Sequence, residues 1–162
     1  MNTPAGDPKA VGSAPPQKQH TLADTVRISG RGLLLGEHAD VEIDPAPIGH
    51  GIVFERTDMS PPVQIPAIAT NVASRARRTT LKMGAASLET VEHCMSALAG
   101  MKVDNALIRI AGPELPCGDG SAVLFVEPIL EAGLVEQDAP RRTYRVTAPL
   151  LVEDGDAMPA GV

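Results

Sequence analysis

The sequence predicts an α+β fold: a two-layer sandwich with an antiparallel-rich sheet carrying two helices on one face. Three observations lead there. Short runs of alternating apolar and polar residues recur along the chain, separated by turns rich in Gly and Pro. Two stretches have helical character, and a strand signal lies between them. No internal repeat is present, so the pattern is that of a sheet covered by helices rather than a solenoid. At 162 residues and 16.9 kDa the chain is one ordinary domain, large enough to bury a core without metal or disulfide staples.

The elements follow in order. Residues 1–19, "MNTPAGDPKAVGSAPPQKQ", lack apolar periodicity and are expected to form a disordered tail, with order beginning near His20. "TVRIS" (25–29) is a strand running into "GRGLLLG" (30–36), where three glycines permit tight turning. "ADVEI" (39–43) alternates and stops at "DPAPIGHG" (44–51); "IVFER" (52–56) is the next strand, and "TDMSPP" (57–62) turns it into a hairpin with "VQIPAIA" (63–69). The last of these belongs at a sheet edge, because Pro66 has no N–H to donate. "RTTLKM" (78–83) is a further strand.

The first helix is expected over about 90–101, with Thr90 as N-cap, Val91, Cys94, Met95 and Leu98 forming the apolar face, and Gly100 near its end. "DNALIRI" (104–110) alternates as a strand does, and "AGPELPCGDG" (111–120) is a long turn. A second helix is expected from an N-capping Ser121 to Gly133, bent or shortened by Pro128. "TYRVTAPLLVED" (143–154) gives the last strand signal. The boundaries are thus a tail at 1–19, a domain at 20–142 and a linker strand at 143–162.

Composition removes some functions. With no Trp, one Tyr, two Phe and a net charge of −6, the chain offers neither stacking platforms nor a basic surface for nucleic acid. Cys94 and Cys117 form no CxxC or disulfide framework and suit a reducing compartment. No secretory h-region and no apolar run of 18 residues occurs, so a soluble, cytoplasmic protein is expected.

Chemistry centres on "ETVEHCMSALAG" (89–100). Glu92 at the start of a helix is favoured by the helix dipole for structural reasons alone. His93 is better placed there as the neutral imidazole, the form that binds metal. Neighbours on a helix project about 100° apart, so the pair can touch two parts of one site but such neighbours seldom chelate together. The other histidines, His20, His38 and His50, fall in the tail or loops without HxxxH or HExxH spacing, so a zinc site of three ligands is not closed by pattern. Asp119 in "CGDGSA" (117–122) is either helix-cap chemistry or a carboxylate presented at a loop edge. "RARRTTL" (75–81) gathers Arg75, Arg77 and Arg78, as a solvated basic loop or as an anion-binding patch. "GRGLLLG" has no nucleotide-binding pattern.

Four stretches carry a resemblance: "GIVFERTDMSPPVQIPA", "TVEHCMSALAGMKVDNALIRIAGPELPCGDGSA", "AGLVEQDAPRR" and "VEDGD". From about His20 to Asp156 the chain resembles the N-terminal half of the UDP-3-O-acyl-N-acetylglucosamine deacetylases, zinc enzymes of the committed step of bacterial lipid A biosynthesis. The resemblance implies two similar α+β domains facing each other across the active site. It implies His93 as a zinc ligand and Glu92 as the base that takes a proton from the metal-bound water attacking the acetamide carbonyl, with Zn2+ as cofactor. Asp119 matches a further carboxylate near the site. Two positions depart from the family pattern: Leu34 stands where "GLHTG" has histidine, and Arg78 where "LCTTL" has cysteine. The remaining zinc ligands, the oxyanion-stabilising groups and the acyl-chain passage are implied to lie in a C-terminal domain. The expectation is therefore an N-terminal half, inactive alone, that acts on UDP-3-O-acyl-N-acetylglucosamine with a complementing domain. The alternative is a non-catalytic interaction module that self-associates through the face left bare, or an inactive truncated fragment that retains the fold.

Overall fold

The computed structural model describes residues 17–74, 78–144, 146–148, 151–152 and 160–161. The strands are β1 (Lys18–Leu22), β2 (Val26–Arg31), β3 (His38–Pro45), β4 (Ile52–Arg56), β5 (Val63–Pro66), β6 (Val72–Ala73), β7 (Thr80–Met83) and β8 (Ala86–Glu89). Helix α1 (Glu92–Gly100), β9 (Ala106–Ile110), helix α2 (Val123–Ala132), β10 (Leu134–Pro140), β11 (Leu151–Val152) and β12 (Ala160–Gly161) complete the order.

The principal sheet has the order β2-β3-β9-β4-β5. Its neighbours are antiparallel except β4 and β9, which run parallel in the register Phe54↔Ile108. A parallel pair requires a long crossover, and here that crossover contains β5 to β8 and α1. β6-β7-β8 form a smaller antiparallel sheet, and β1 pairs with β10.

Alternation decides which face of the main sheet is covered. Val26 and Ile28, Ala39, Val41 and Ile43, Phe54, and Ala106, Ile108 and Ile110 are all buried and join one core. Cys94, Ala97 and Leu98 of α1 and Phe125 and Ile129 of α2, at helical spacings of three and four, complete the same cluster. Each large side chain withdrawn from water in this way contributes about 1.5–3 kcal/mol. The opposite face is ionic: Arg27 pairs with Glu42 at 3.0 Å, and Arg109 pairs with Glu42 at 2.9 Å and with Glu55 at 3.5 Å. The two-layer α+β sandwich expected from the sequence is therefore the observed one.

Several elements differ from expectation. The first strand starts at Lys18, two residues inside the predicted tail, because it pairs with β10, an element its own sequence does not announce. β8 is likewise unannounced; "ASLE" is only four residues long, and two of them are small. Thr90 does not cap α1. It has φ 60° and precedes Val91, which occupies the cap position without a side-chain bond. α2 starts at Val123, two residues late, although the Ser121 hydroxyl still accepts the Val123 N–H at 3.2 Å. It continues past Pro128 to Ala132 and stops at Gly133, φ 76°. The segment 111–120 is a turn at its two ends, while Glu114, Leu115, Pro116 and Cys117 between them are buried. Of the strand expected over 143–154, Leu151–Val152 is a strand, whereas Thr143, Tyr144 and residues 146–148 are exposed and outside any strand.

Candidate active site

α1 begins where the small sheet ends. β7 and β8 pair in the register Thr80↔Glu89, and the chain leaves β8 through Thr90 and Val91 into the helix. Thr90 is buried and holds a positive φ, a strained state for a β-branched residue. Two bonds retain it there: its N–H donates to the Thr79 carbonyl at 3.1 Å, and its hydroxyl donates to Glu114 Oε1 at 3.2 Å.

Glu92 and His93 are the first two residues of α1, one position nearer its start than Thr90 capping would place them. Both are half-buried, neither sealed in the core nor free in solvent. The Thr79 N–H donates to Glu92 Oε2 at 3.2 Å. Thr79 thus grips the helix start twice, accepting from Thr90 and donating to Glu92.

Asp119 stands exposed on the loop before α2. Its Oδ1 accepts the Ser121 hydroxyl at 2.6 Å and the Ser121 N–H at 2.9 Å. These bonds hold its carboxyl below the usual carboxylate range, with a smaller contribution from the nearby charge of His93. The two Ser121 bonds are turn chemistry ahead of α2, whose cap position Ala122 receives no side-chain bond, and the Asp119 carboxylate stands exposed on that loop. Next to His93, Cys94 is fully buried, and burial pushes its thiol up to about 12. It serves as a small apolar residue.

Among the described residues, no three His, Cys, Asp or Glu side chains gather into a metal-binding group. His38 lies exposed on β3, its Nε2 3.0 Å from Ser29 Oγ and 3.4 Å from Asp40 Oδ1, and the Nδ1 of His50 is 3.1 Å from the Gly51 carbonyl oxygen. His93 by itself would fill one of the three protein positions a catalytic zinc takes, and the described residues gather no such set around it. Arg78 is ion-paired through its Nε with Glu89 Oε2 at 3.0 Å. Arg75 and Arg77 lie outside the described residues. A cavity of about 470 Å3 on the ionic face of the sheet is lined by Arg27, Ser29, Asp40, Glu42, Thr57 and Arg109 among others, and by none of the candidate site residues.

Two contributors escape a reading of the sequence. Thr79 acts through its backbone, which no motif records. Glu114 accepts the Leu34 N–H at 2.7 Å and the Leu35 N–H at 2.8 Å while receiving the Thr90 hydroxyl. A carboxylate inside the apolar stretch "PELP" was the signal for it.

A sequence model of the UDP-3-O-acyl N-acetylglycosamine deacetylase family matches residues 19–161. Among curated relatives, the UDP-3-O-acyl-N-acetylglucosamine deacetylase of Pseudomonas entomophila is 48% identical over 139 residues, 86% of this chain and 46% of the relative. The proteins of the same name from Teredinibacter turnerae and Stenotrophomonas maltophilia are 45% and 46% identical over the same shares. The chain spans about half the length of the curated relatives it matches.

Proposed function

Since the chain belongs to the UDP-3-O-acyl N-acetylglycosamine deacetylase family, we propose that it supplies the proton acceptor and one zinc ligand for removal of the N-acetyl group from UDP-3-O-acyl-N-acetylglucosamine in lipid A synthesis. The observation that carries this reading is the adjacent, half-buried pair Glu92 and His93 in the first turn of α1.

His93 offers a ring nitrogen to the metal, and Asp119 is the second carboxylate of the site in this reading. Zinc, when bound, would polarise the acetamide carbonyl and make the attacking water more acidic. Glu92 takes the proton of that water. One of its oxygens is steadied by the Thr79 N–H, leaving the other for the proton, and the helix N-terminus favours negative charge at this position. Hydroxide adds to the carbonyl carbon, the C–N bond breaks, acetate leaves, and the nitrogen departs as an amine bearing a proton that came from water. The other two ligands and the leaving-group proton donor come, in this reading, from the remainder of the enzyme.

Among the described residues no helix is long and apolar enough to cross a membrane, and both cysteines are free and buried. These features support a cytoplasmic setting. A second reading, a self-associating module without catalysis, is favoured by one observation: Leu33, Leu34, Leu35 and Leu130 are exposed.

Co-expression of this chain with the C-terminal half of the Pseudomonas entomophila relative, followed by an acetate-release assay, separates the two. Turnover is expected with both halves, and Glu92→Gln and His93→Ala are each expected to lower it at least about a hundredfold. Glu92→Gln at wild-type rate would overturn the assignment, and a tight homodimer without activity in the mixed sample would favour the second reading.

A further inference from the structure

Resting on the reading of Glu92 as proton acceptor, we propose that Glu114 is a positioning residue of the same reaction, its buried carboxylate tying the loop 32–36 to the residue that launches α1. Three donors converge on it: the Leu34 and Leu35 N–H groups on separate oxygens, and the Thr90 hydroxyl on Oε1. A buried carboxylate left without partners is costly, and charge-assisted bonds of this kind are the strong ones.

Glu114 is itself fixed by the main chain on both sides. The Glu89 N–H donates to the Pro113 carbonyl at 2.8 Å and the Leu115 N–H returns to the Glu89 carbonyl at 3.2 Å, while the Cys117 N–H donates to the Arg31 carbonyl at 3.0 Å. Residues 113–117 are therefore laced between the end of β8 and the end of β2. Gly32 completes the fit, since a Cβ there would stand 2.3 Å from Glu114 Oε2.

The link to chemistry runs through Thr90. Its strained backbone is held by the Glu114 bond from one side and by Thr79 from the other, and two residues further on Glu92 takes its own bond from Thr79. A shift of the Glu114 carboxylate releases Thr90, and with it the position of Glu92. On the loop side the clamp uses backbone N–H groups alone, so the exposed Leu34 and Leu35 side chains stand where other residues could replace them without loosening it.

Two variants test this, read by amide hydrogen exchange in the 162-residue chain and by kinetics in the two-half assay. In Glu114→Gln one acceptor oxygen becomes an amide that cannot accept, so exchange at Leu34 or Leu35 is expected to rise about tenfold or more. Thr90→Val keeps the shape and removes the hydroxyl. It should leave Leu34 and Leu35 within about twofold of wild type and speed exchange at Met95, whose N–H bonds the Val91 carbonyl at 2.9 Å. Both variants should lower kcat about tenfold or more with KM within about twofold, the signature of a group misplaced only in the transition state. Unchanged Leu34 and Leu35 exchange in Glu114→Gln would overturn the clamp. Wild-type kcat in Thr90→Val would overturn the tie to catalysis, and that variant decides the matter if Glu114→Gln fails to fold. An inactive wild-type pair would sink the functional reading instead, while the exchange pattern would still report the clamp.

Discussion

Asp58 accepts two bonds from the buried Arg56, at 2.8 and 2.7 Å, and that guanidinium holds its carboxyl below the usual carboxylate range. In the unfolded chain the group returns to about 4. A group depressed on folding adds stability above its unfolded value and loses it as pH falls through the folded one. The melting-temperature gap between wild type and Asp58→Asn should therefore be full at neutral pH and close as the solution is taken below about pH 4. A gap that widened in acid would contradict the assignment. Legibility at this scale depends on sequence distance. Glu92 and His93 are neighbours in the chain, so their pairing was visible in the sequence. Glu114 reaches donors 24, 79 and 80 residues away, a proximity that exists only after folding.

Helix α1 has nine residues, fewer than an isolated helix needs in water, so its stability comes from Cys94, Ala97 and Leu98 in the core. Its C-terminus carries a local cost: Lys102 is exposed with φ 62°, and the Val103 N–H bonds the Leu98 carbonyl at 2.9 Å around it. Glycine suits that conformation. Lys102→Gly should stabilise the protein by about 0.5–1 kcal/mol, measured by urea unfolding. Apolar spacing located α1, turn and end signals located α2 and the β4–β5 hairpin, and Pro66 gave the edge position of β5. The error at Thr90 arose because its hydroxyl has two possible employers, the first turn of a helix or a distant carboxylate. The chain chose Glu114. β10 was missed for a related reason: "LVEQDAP" has little alternation of its own and is a strand because β1 returns to pair with it.

For the molecule as a whole, the two faces of the main sheet should contribute very unequally to stability. Phe125 is fully buried against the sheet, and Phe125→Ala should cost about 3–5 kcal/mol. Arg109, on the ionic face, pairs with Glu42, Asp44 and Glu55 and is 40% exposed at its side chain, so its change to Ala should cost about 1–2 kcal/mol, less than the loss of Phe125. Denaturant titration of both variants checks the contrast. The fold class was legible because one-sided burial leaves its mark in the strands of the main sheet, whereas the full order β2-β3-β9-β4-β5 was not, because beyond the β4–β5 hairpin no local pattern encodes which strands become neighbours. The sealed thiol beside His93 has a further consequence. In a Cys117→Ser background, a thiol-alkylating reagent can reach Cys94 only when the helix lifts from the sheet. The labelling rate then becomes a stopwatch for opening of the chain, and any partner that fastens the two layers together will slow it.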